Sequence, residues 1–206
     1  MQATDAIFYI AILVMSVVIH EVSHGFMAEY FGDKTARNAG RLTLNPLKHL
    51  DPFGSIILPA LLYFSSGFVF GWARPVPYNP DNLRNKRWGT IAVAAAGILA
   101  NLSIAVIFGI ILRFSPNFSV PDGFDFIVSS IVIINLALAL FNLVPIPPLD
   151  GSKILFNLLP ESFYHLIGFI ETYSLIIFII FVAFFSNYLF PILAYLYHLI
   201  TNVQLV

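Results

Sequence analysis

The chain has no cysteine among its 206 residues, which excludes a disulfide framework and any thiolate metal site and leaves the redox compartment undetermined. Charge is scarce too. Asp, Glu, Lys and Arg make up 10% of the sequence, against about a quarter in a soluble domain. No basic residue occurs in 115–125 or after Lys153. With 59% hydrophobic residues, the chain cannot cover itself with polar side chains, so it reads as an integral membrane protein. No polar stretch between the apolar segments is long enough to fold separately, and 1–206 is expected to form a single membrane-embedded domain. Internal repeats and low-complexity tracts are absent. The N-terminus lacks a basic n-region and a small-residue cleavage site, so the first apolar segment is expected to be retained.

What is there is a series of apolar stretches at 6–30, 53–72, 88–114, 126–144 and 173–185, with a weaker one at 188–200. A spanning helix needs about 20 predominantly apolar residues, and the first, third and fourth stretches qualify. The fifth qualifies if 167–170 or 188–190 extends it, and the last is expected to be bent by Pro191. Eight of the ten basic residues lie between Gly32 and Trp88. If 53–72 crossed the bilayer, its two basic flanks would lie on opposite sides, against the positive-inside rule. A re-entrant element keeps all eight cytoplasmic, and Pro59 and the Ser65-Ser66-Gly67 break suit such an element. The fold class expected is therefore all-α: a polytopic, multi-pass cell-membrane protein with about four to six transmembrane helices and a re-entrant element, with the alternating segment 41–44 a candidate strand. Proline-rich links at 73–80 and 142–151 interrupt the helices, because proline disfavours helix in itself and in the residue before it.

His20-Glu21-Val22-Ser23-His24 lies inside the first apolar stretch. On a helix, His20 and His24 fall on one face a turn apart, the spacing at which two imidazoles share a metal ion, with Glu21 adjacent to handle a proton. Charged and metal-ready side chains are costly in lipid, so their presence there marks function. The pattern points to a zinc peptidase centre within the membrane. A catalytic zinc takes three protein ligands and leaves a fourth position open. The remaining histidines are His49, His165 and His198; the carboxylates in apolar context are Asp150 and Glu171. Asp150 is the preferred third ligand, since broken helix beside Gly151 can hold a short carboxylate at a fixed depth. The alternative for Asp150 is an N-cap of the following helix. His49, in a basic loop, is read as a solvated or capping residue, and Asp51 before Pro52 as a turn former.

The pair of motifs, HEVSH early and N-L-V-P-I-P-P-L-D-G at 142–151, resembles the site-2 protease family of intramembrane zinc metalloproteases. Ala96-Gly97-Ile98-Leu99-Ala100-Asn101 is similar to the family's A-G-P-x-x-N, with Ile98 replacing its proline, and the segment from Asn45 to Gly54 resembles small prokaryotic members. The resemblance implies one Zn2+ per chain held by His20, His24 and Asp150, Glu21 as the catalytic glutamate, and Asn142 as a catalytic group that holds substrate or the oxyanion. Asn142 also has a plainer reading, as a helix-end amide satisfying backbone freed by Pro145. The resemblance further suggests that the segment 41–44 belongs to a short membrane-associated β-hairpin that presents substrate. The expected activity is hydrolysis of a peptide bond in or near a transmembrane segment of a membrane-protein substrate, with the site toward the cytoplasmic side. The other reading is a catalytically silent zinc-binding scaffold or metal carrier. The expected partners are the substrate and the lipid bilayer, with no nucleic acid, and oligomeric state is left open. The sequence shows neither a PDZ nor a CBS domain, so control is expected from substrate, partner or lipid.

Overall fold

A computed structural model describes residues 3–57, 61, 73–185 and 188–205. The described residues form helices α1 (Ala3–Tyr30), α2 (Thr35–Asn38), α3 (Lys86–Phe114), α4 (Phe124–Leu143), α5 (Asp150–Leu158), α6 (Tyr164–Thr172), α7 (Ser174–Ile180) and α8 (Leu189–Thr201), joined by short 3₁₀ and π turns. The fold is all-α.

The helix ends follow local chemistry. Gly32 takes φ 109°, its N–H reaching the Glu29 carbonyl while Asp33 N–H reaches that of Ala28. This paired closure ends α1 at a residue that tolerates a left-handed backbone. Asn85 starts α3 by accepting from the Trp88 N–H at 3.0 Å. Pro145 prevents α4 from continuing past Leu143. Arg87, in the first turn of α3, donates to the carbonyls of Asn157 and Leu158 and so holds the C-terminal end of α5.

Three helical stretches, Asp5–Tyr30, Lys86–Asn117 and Phe124–Leu143, are long and apolar enough to cross a membrane. Polar side chains turn inward and apolar ones outward, the reverse of a water-soluble bundle. Ser16, His20, His24, Asn101 and Asn135 are buried, while Ile7, Ile10, Leu99, Ile107 and Ile110 are exposed. Helix α3 sits at the centre, packed against α1, α4, α5 and α8. Its C-terminal half forms an apolar core in which Ala105 and Leu112 meet Val128, Val132 and Leu136 of α4 and Leu193 and Tyr197 of α8.

Three sequence expectations change here. The fifth stretch is no straight span: Glu161–Thr172 and Ser174–Phe185 meet at 71°, where Tyr173 leaves helical geometry. Pro191 lies in the first turn of α8, where its missing N–H has no intrahelical partner to lose, so it begins that helix rather than bending it. At 13 residues α8 is about 20 Å long, short of a hydrocarbon core of about 30 Å. No strand occurs among the described residues. The 41–44 segment is irregular because its polar groups go elsewhere: Arg41 N–H to the Ala36 carbonyl, and the Thr43 carbonyl to His49 Nε2. Most of 53–72, and with it the re-entrant reading, lies outside the described residues; at its start Pro52–Ile57 forms a short π-helix.

The loops after α1 are tied down by buried side chains. Asp33, fully buried, accepts from Thr35 N–H and Oγ1, Asn79 N–H and Asn82 Nδ2. Burial works to raise the Asp33 pKa, but these bonds outweigh it and hold the carboxyl below its ordinary range. His49 is buried at 1% exposure, against the solvated reading, and its backbone carbonyl accepts from Arg74 N–H. Asp51 accepts from the Gly54 N–H, the turn role expected of it.

Candidate metal centre

Helices α1 and α3 meet along two stripes of four-residue spacing. Ser16, His20 and His24 line one face of α1; Val93, Gly97 and Asn101 line the facing side of α3. His20 Nδ1 donates to Asn101 Oδ1 at 2.6 Å, and His24 Nδ1 donates to the Val93 carbonyl at 2.7 Å. Between them Gly97 leaves the space both rings occupy: a Cβ there would lie 2.6 Å from Cε1 of each. The rings stand edge to face, 4.6 Å apart.

The hydrogen-bond network determines which ring nitrogen is free. The Ile131 carbonyl can only accept, so the Asn135 Nδ2 that meets it at 2.9 Å is the donor end, and Asn135 Oδ1 faces Asn101. Asn101 Nδ2 therefore donates to Asn135 at 2.7 Å, which leaves Asn101 Oδ1 as the acceptor for the His20 Nδ1 proton. His24 is fixed likewise by a carbonyl. Both imidazoles thus turn an Nε2 lone pair inward, toward the same oxygen: Asp150 Oδ2 lies 3.1 Å from His20 Nε2 and 3.0 Å from His24 Nε2.

Asp150 reaches this point because α4 stops and the chain doubles back. Gly151 lies against α4's end so closely that a Cβ would sit 2.2 Å from the Leu143 carbonyl oxygen. The N-cap position of α5 is held by Leu149, and the Asp150 carboxylate instead meets His20, His24 and Lys153. Lys153 Nζ holds Oδ1 at 3.0 Å. Burial disfavours the Lys153 ammonium, but the Asp150 charge and hydrogen bond outweigh it and raise its pKa above the ordinary lysine value.

Two imidazole Nε2 atoms at 3.1 and 3.0 Å from one carboxylate oxygen are brought together favourably only by a proton or a metal ion between them. Zinc ligands at 2.0–2.1 Å in tetrahedral array lie about 3.3 Å apart, so this set fits a zinc ion. His20, Glu21 and His24 also offer ligand atoms within 4.8 Å of one another. Glu21, however, is turned toward the 73–80 link, where its Oε2 accepts from Val76 N–H at 2.9 Å. Since Pro75 and Pro77 carry no N–H, Val76 is the only backbone donor in that triplet. The arrangement therefore favours Asp150 as the third donor and leaves Glu21 beside the centre. All four groups line a cavity of about 200 Å³, shared with Tyr78, Asn142 and Lys153. Asn142 Nδ2 donates to the Leu138 carbonyl at 3.0 Å, which engages one of its two amide protons.

Several participants were not singled out from the sequence. Ser16, Asn135, Lys153, Tyr78 and the Val76 amide all touch the site or support it. A signal existed for three of them. Ser16 is four residues before His20, Asn135 is two helical turns before Asn142, and Lys153 is the sole basic residue after Arg113. Asn135→Leu, which keeps the volume but removes the amide that orders Asn101, is expected to weaken metal binding about 10- to 100-fold. Competition against a fluorescent zinc chelator measures this, and unchanged affinity would show that Asn101 needs no such support.

An HExxH helix with a distant aspartate, buried among apolar helices, defines the class: a membrane-embedded metalloprotease centre. The chain belongs to peptidase family M50, the site-2 protease family, whose model matches residues 8–129 and 115–186. It is 39% identical over 174 residues to "Putative zinc metalloprotease YwhC" of Bacillus subtilis (strain 168), covering 82% of this chain and 76% of that protein. It is 35% identical over 147 residues to "Putative zinc metalloprotease Rip2" of Mycolicibacterium smegmatis, covering 70% of this chain and 54% of the relative. The protein of the same name from Mycobacterium tuberculosis H37Rv is 30% identical over 151 residues, with 72% and 56% covered. The chain thus spans about half the length of these mycobacterial relatives. No solved structure matches.

Proposed function

We propose that this protein is an intramembrane zinc endopeptidase, a single membrane-embedded domain that hydrolyses a peptide bond in or near a transmembrane segment of a membrane-protein substrate. The observation that carries the reading is the convergence of His20, His24 and Asp150 on one point beside Glu21, in a cavity within the helix bundle. One zinc per chain, held by those three side chains, supplies Lewis acidity toward the scissile carbonyl and toward water. Glu21 takes the proton released by the attacking water and passes it to the departing amine. The second amide proton of Asn142 serves the oxyanion, a contribution that typically amounts to a hundred- to a thousand-fold in rate. Lys153 keeps Asp150 ionised and oriented.

A helical segment shields its peptide bonds within its own hydrogen bonds, so the scissile segment enters unwound. His24 lies six residues, about 9 Å, from the end of α1 at the basic loops. The positive-inside rule supports a cytoplasmic side for those loops, and with it cleavage in the cytoplasmic half of the cell membrane by a multi-pass protein.

The test is cleavage of a single-span substrate by the purified protein in lipid. One equivalent of zinc per chain is expected, with activity lost on chelation and recovered on zinc addition. Cleavage that survives complete metal removal, or confinement of activity to unstructured soluble peptides, would refute the reading.

A further inference from the structure

A second cavity, of about 350 Å³, lies behind the 73–80 link and is lined by Ala39, Arg41, Lys48, Arg74, Pro75 and Pro77. Pro75 lines both cavities, so the two are back to back across one stretch of chain. Three of the six lining residues are cationic and none is acidic. Among the described residues none of the three is in an ion pair. Arg41 is 7% exposed; one guanidinium nitrogen donates to the Arg74 carbonyl at 2.7 Å, while its Nε has no hydrogen-bond partner. The buried guanidinium keeps an unmatched N–H, and burial and the neighbouring Arg74 charge disfavour it more than Glu21, the one carboxylate acting on it, relieves it, so an anion in the cavity would stabilise it.

The position of the cavity selects the anion. The loop that carries Arg41 packs onto α1 at Gly25, where an added Cβ would meet Leu42 at 2.5 Å and Val76 at 2.8 Å. That contact lies about one and a half turns from the end of α1, at the basic-loop end of a helix long and apolar enough to cross a membrane. Beside Lys48, Leu44 and Leu47 are 56% and 73% exposed, apolar side chains presented next to cations as on a membrane-facing surface. Arginine matches the oxygens of a phosphate with paired N–H donors, and lysine adds a point charge.

We infer that Arg41, Lys48 and Arg74 form a binding site for the phosphate of an anionic phospholipid headgroup, with Leu44 and Leu47 against its acyl chains. The inference is independent of proteolysis, and its test reads lipid binding alone. The intact protein is equilibrated in mixed phosphatidylglycerol and phosphatidylcholine micelles, and retained lipid is counted by native mass spectrometry. Wild type is expected to retain phosphatidylglycerol preferentially. The double variant Lys48→Ala/Arg74→Ala, in which both residues are exposed, is expected to lose that preference about tenfold or more. Arg84→Ala/Lys86→Ala removes the same charge outside the cavity and is expected to retain it. Equal loss in both doubles would reduce the effect to general surface charge and overturn the site. Displacement of the lipid by millimolar inorganic phosphate, or by a polyglutamate peptide, would overturn the lipid assignment in favour of a free anion or an acidic chain.

Discussion

Glu21→Gln is expected to lower the rate of peptide cleavage about a hundred- to ten-thousand-fold while leaving bound zinc and substrate affinity unchanged. The reason lies in the geometry around the side chain. Glutamine has the same shape and keeps a carbonyl oxygen, which can still accept the Val76 N–H that now meets Glu21 Oε2 at 2.9 Å. The link therefore stays in place. The three proposed metal donors make their contacts without Glu21: His20 and His24 are oriented by Asn101 and Val93, and Asp150 by Lys153. What the amide cannot do is take a proton from water and release it to the leaving nitrogen. Steady-state kinetics on a single-span substrate, with zinc measured on the same samples, separates these effects. A fall in kcat with KM and metal content intact is the expected pattern. Retention of more than a tenth of wild-type activity would remove Glu21 from the role of base.

Gly97→Ala is expected to empty the metal centre, lowering zinc affinity by more than about a hundred-fold and abolishing cleavage with it. The added Cβ would lie 2.6 Å from Cε1 of both His20 and His24 and 2.7 Å from His20 Nδ1. Neither ring can swing aside cheaply. Each is held at Nδ1 by a group of α3 itself, the helix that carries Gly97, and each is boxed in at under 10% exposure. Relief therefore requires α1 and α3 to separate or the rings to abandon their partners. Either change removes the alignment of the two Nε2 atoms on one point. Overpacking of this kind typically costs about 1–3 kcal/mol, which an apolar bundle can absorb, so the helical content should survive. Zinc per chain after dialysis, read beside circular dichroism, makes the distinction. A fully loaded, folded Gly97→Ala would show that the site has slack that the close contacts deny.

Much of this centre is legible in the sequence where the governing contacts are local. HEVSH is a spacing on one helix, and the three long apolar stretches at 6–30, 88–114 and 126–144 each match a helix long enough to cross a membrane. Asp150 was legible as the preferred third ligand with an N-cap as the alternative; the structure gives the cap position to Leu149 and brings the carboxylate within 3.1 Å of both imidazoles. His49 takes the capping half of its reading, its N–H closing the Pro46–Lys48 turn, but it is buried rather than solvated because the loop folds over it. Tyr78 and the Val76 amide carry no signal, since their roles depend on where a proline-rich link crosses the cavity mouth.

The sequence by itself determined the membrane setting, through hydropathy, and the face of α1 that bears the two histidines, through the 3.6-residue period. Both follow from rules that act over a few neighbouring residues. Only the tertiary structure decided which carboxylate meets those histidines and which ring nitrogens are left to bind. The contacts that settle this join His20 to Asn101 and Asp150, and His24 to Val93, across 81, 130 and 69 residues. They exist because α1 and α3 run antiparallel with their polar stripes in register, and because α4 breaks where the chain must return. The packing of helices against one another sets that register, and no local pattern encodes it.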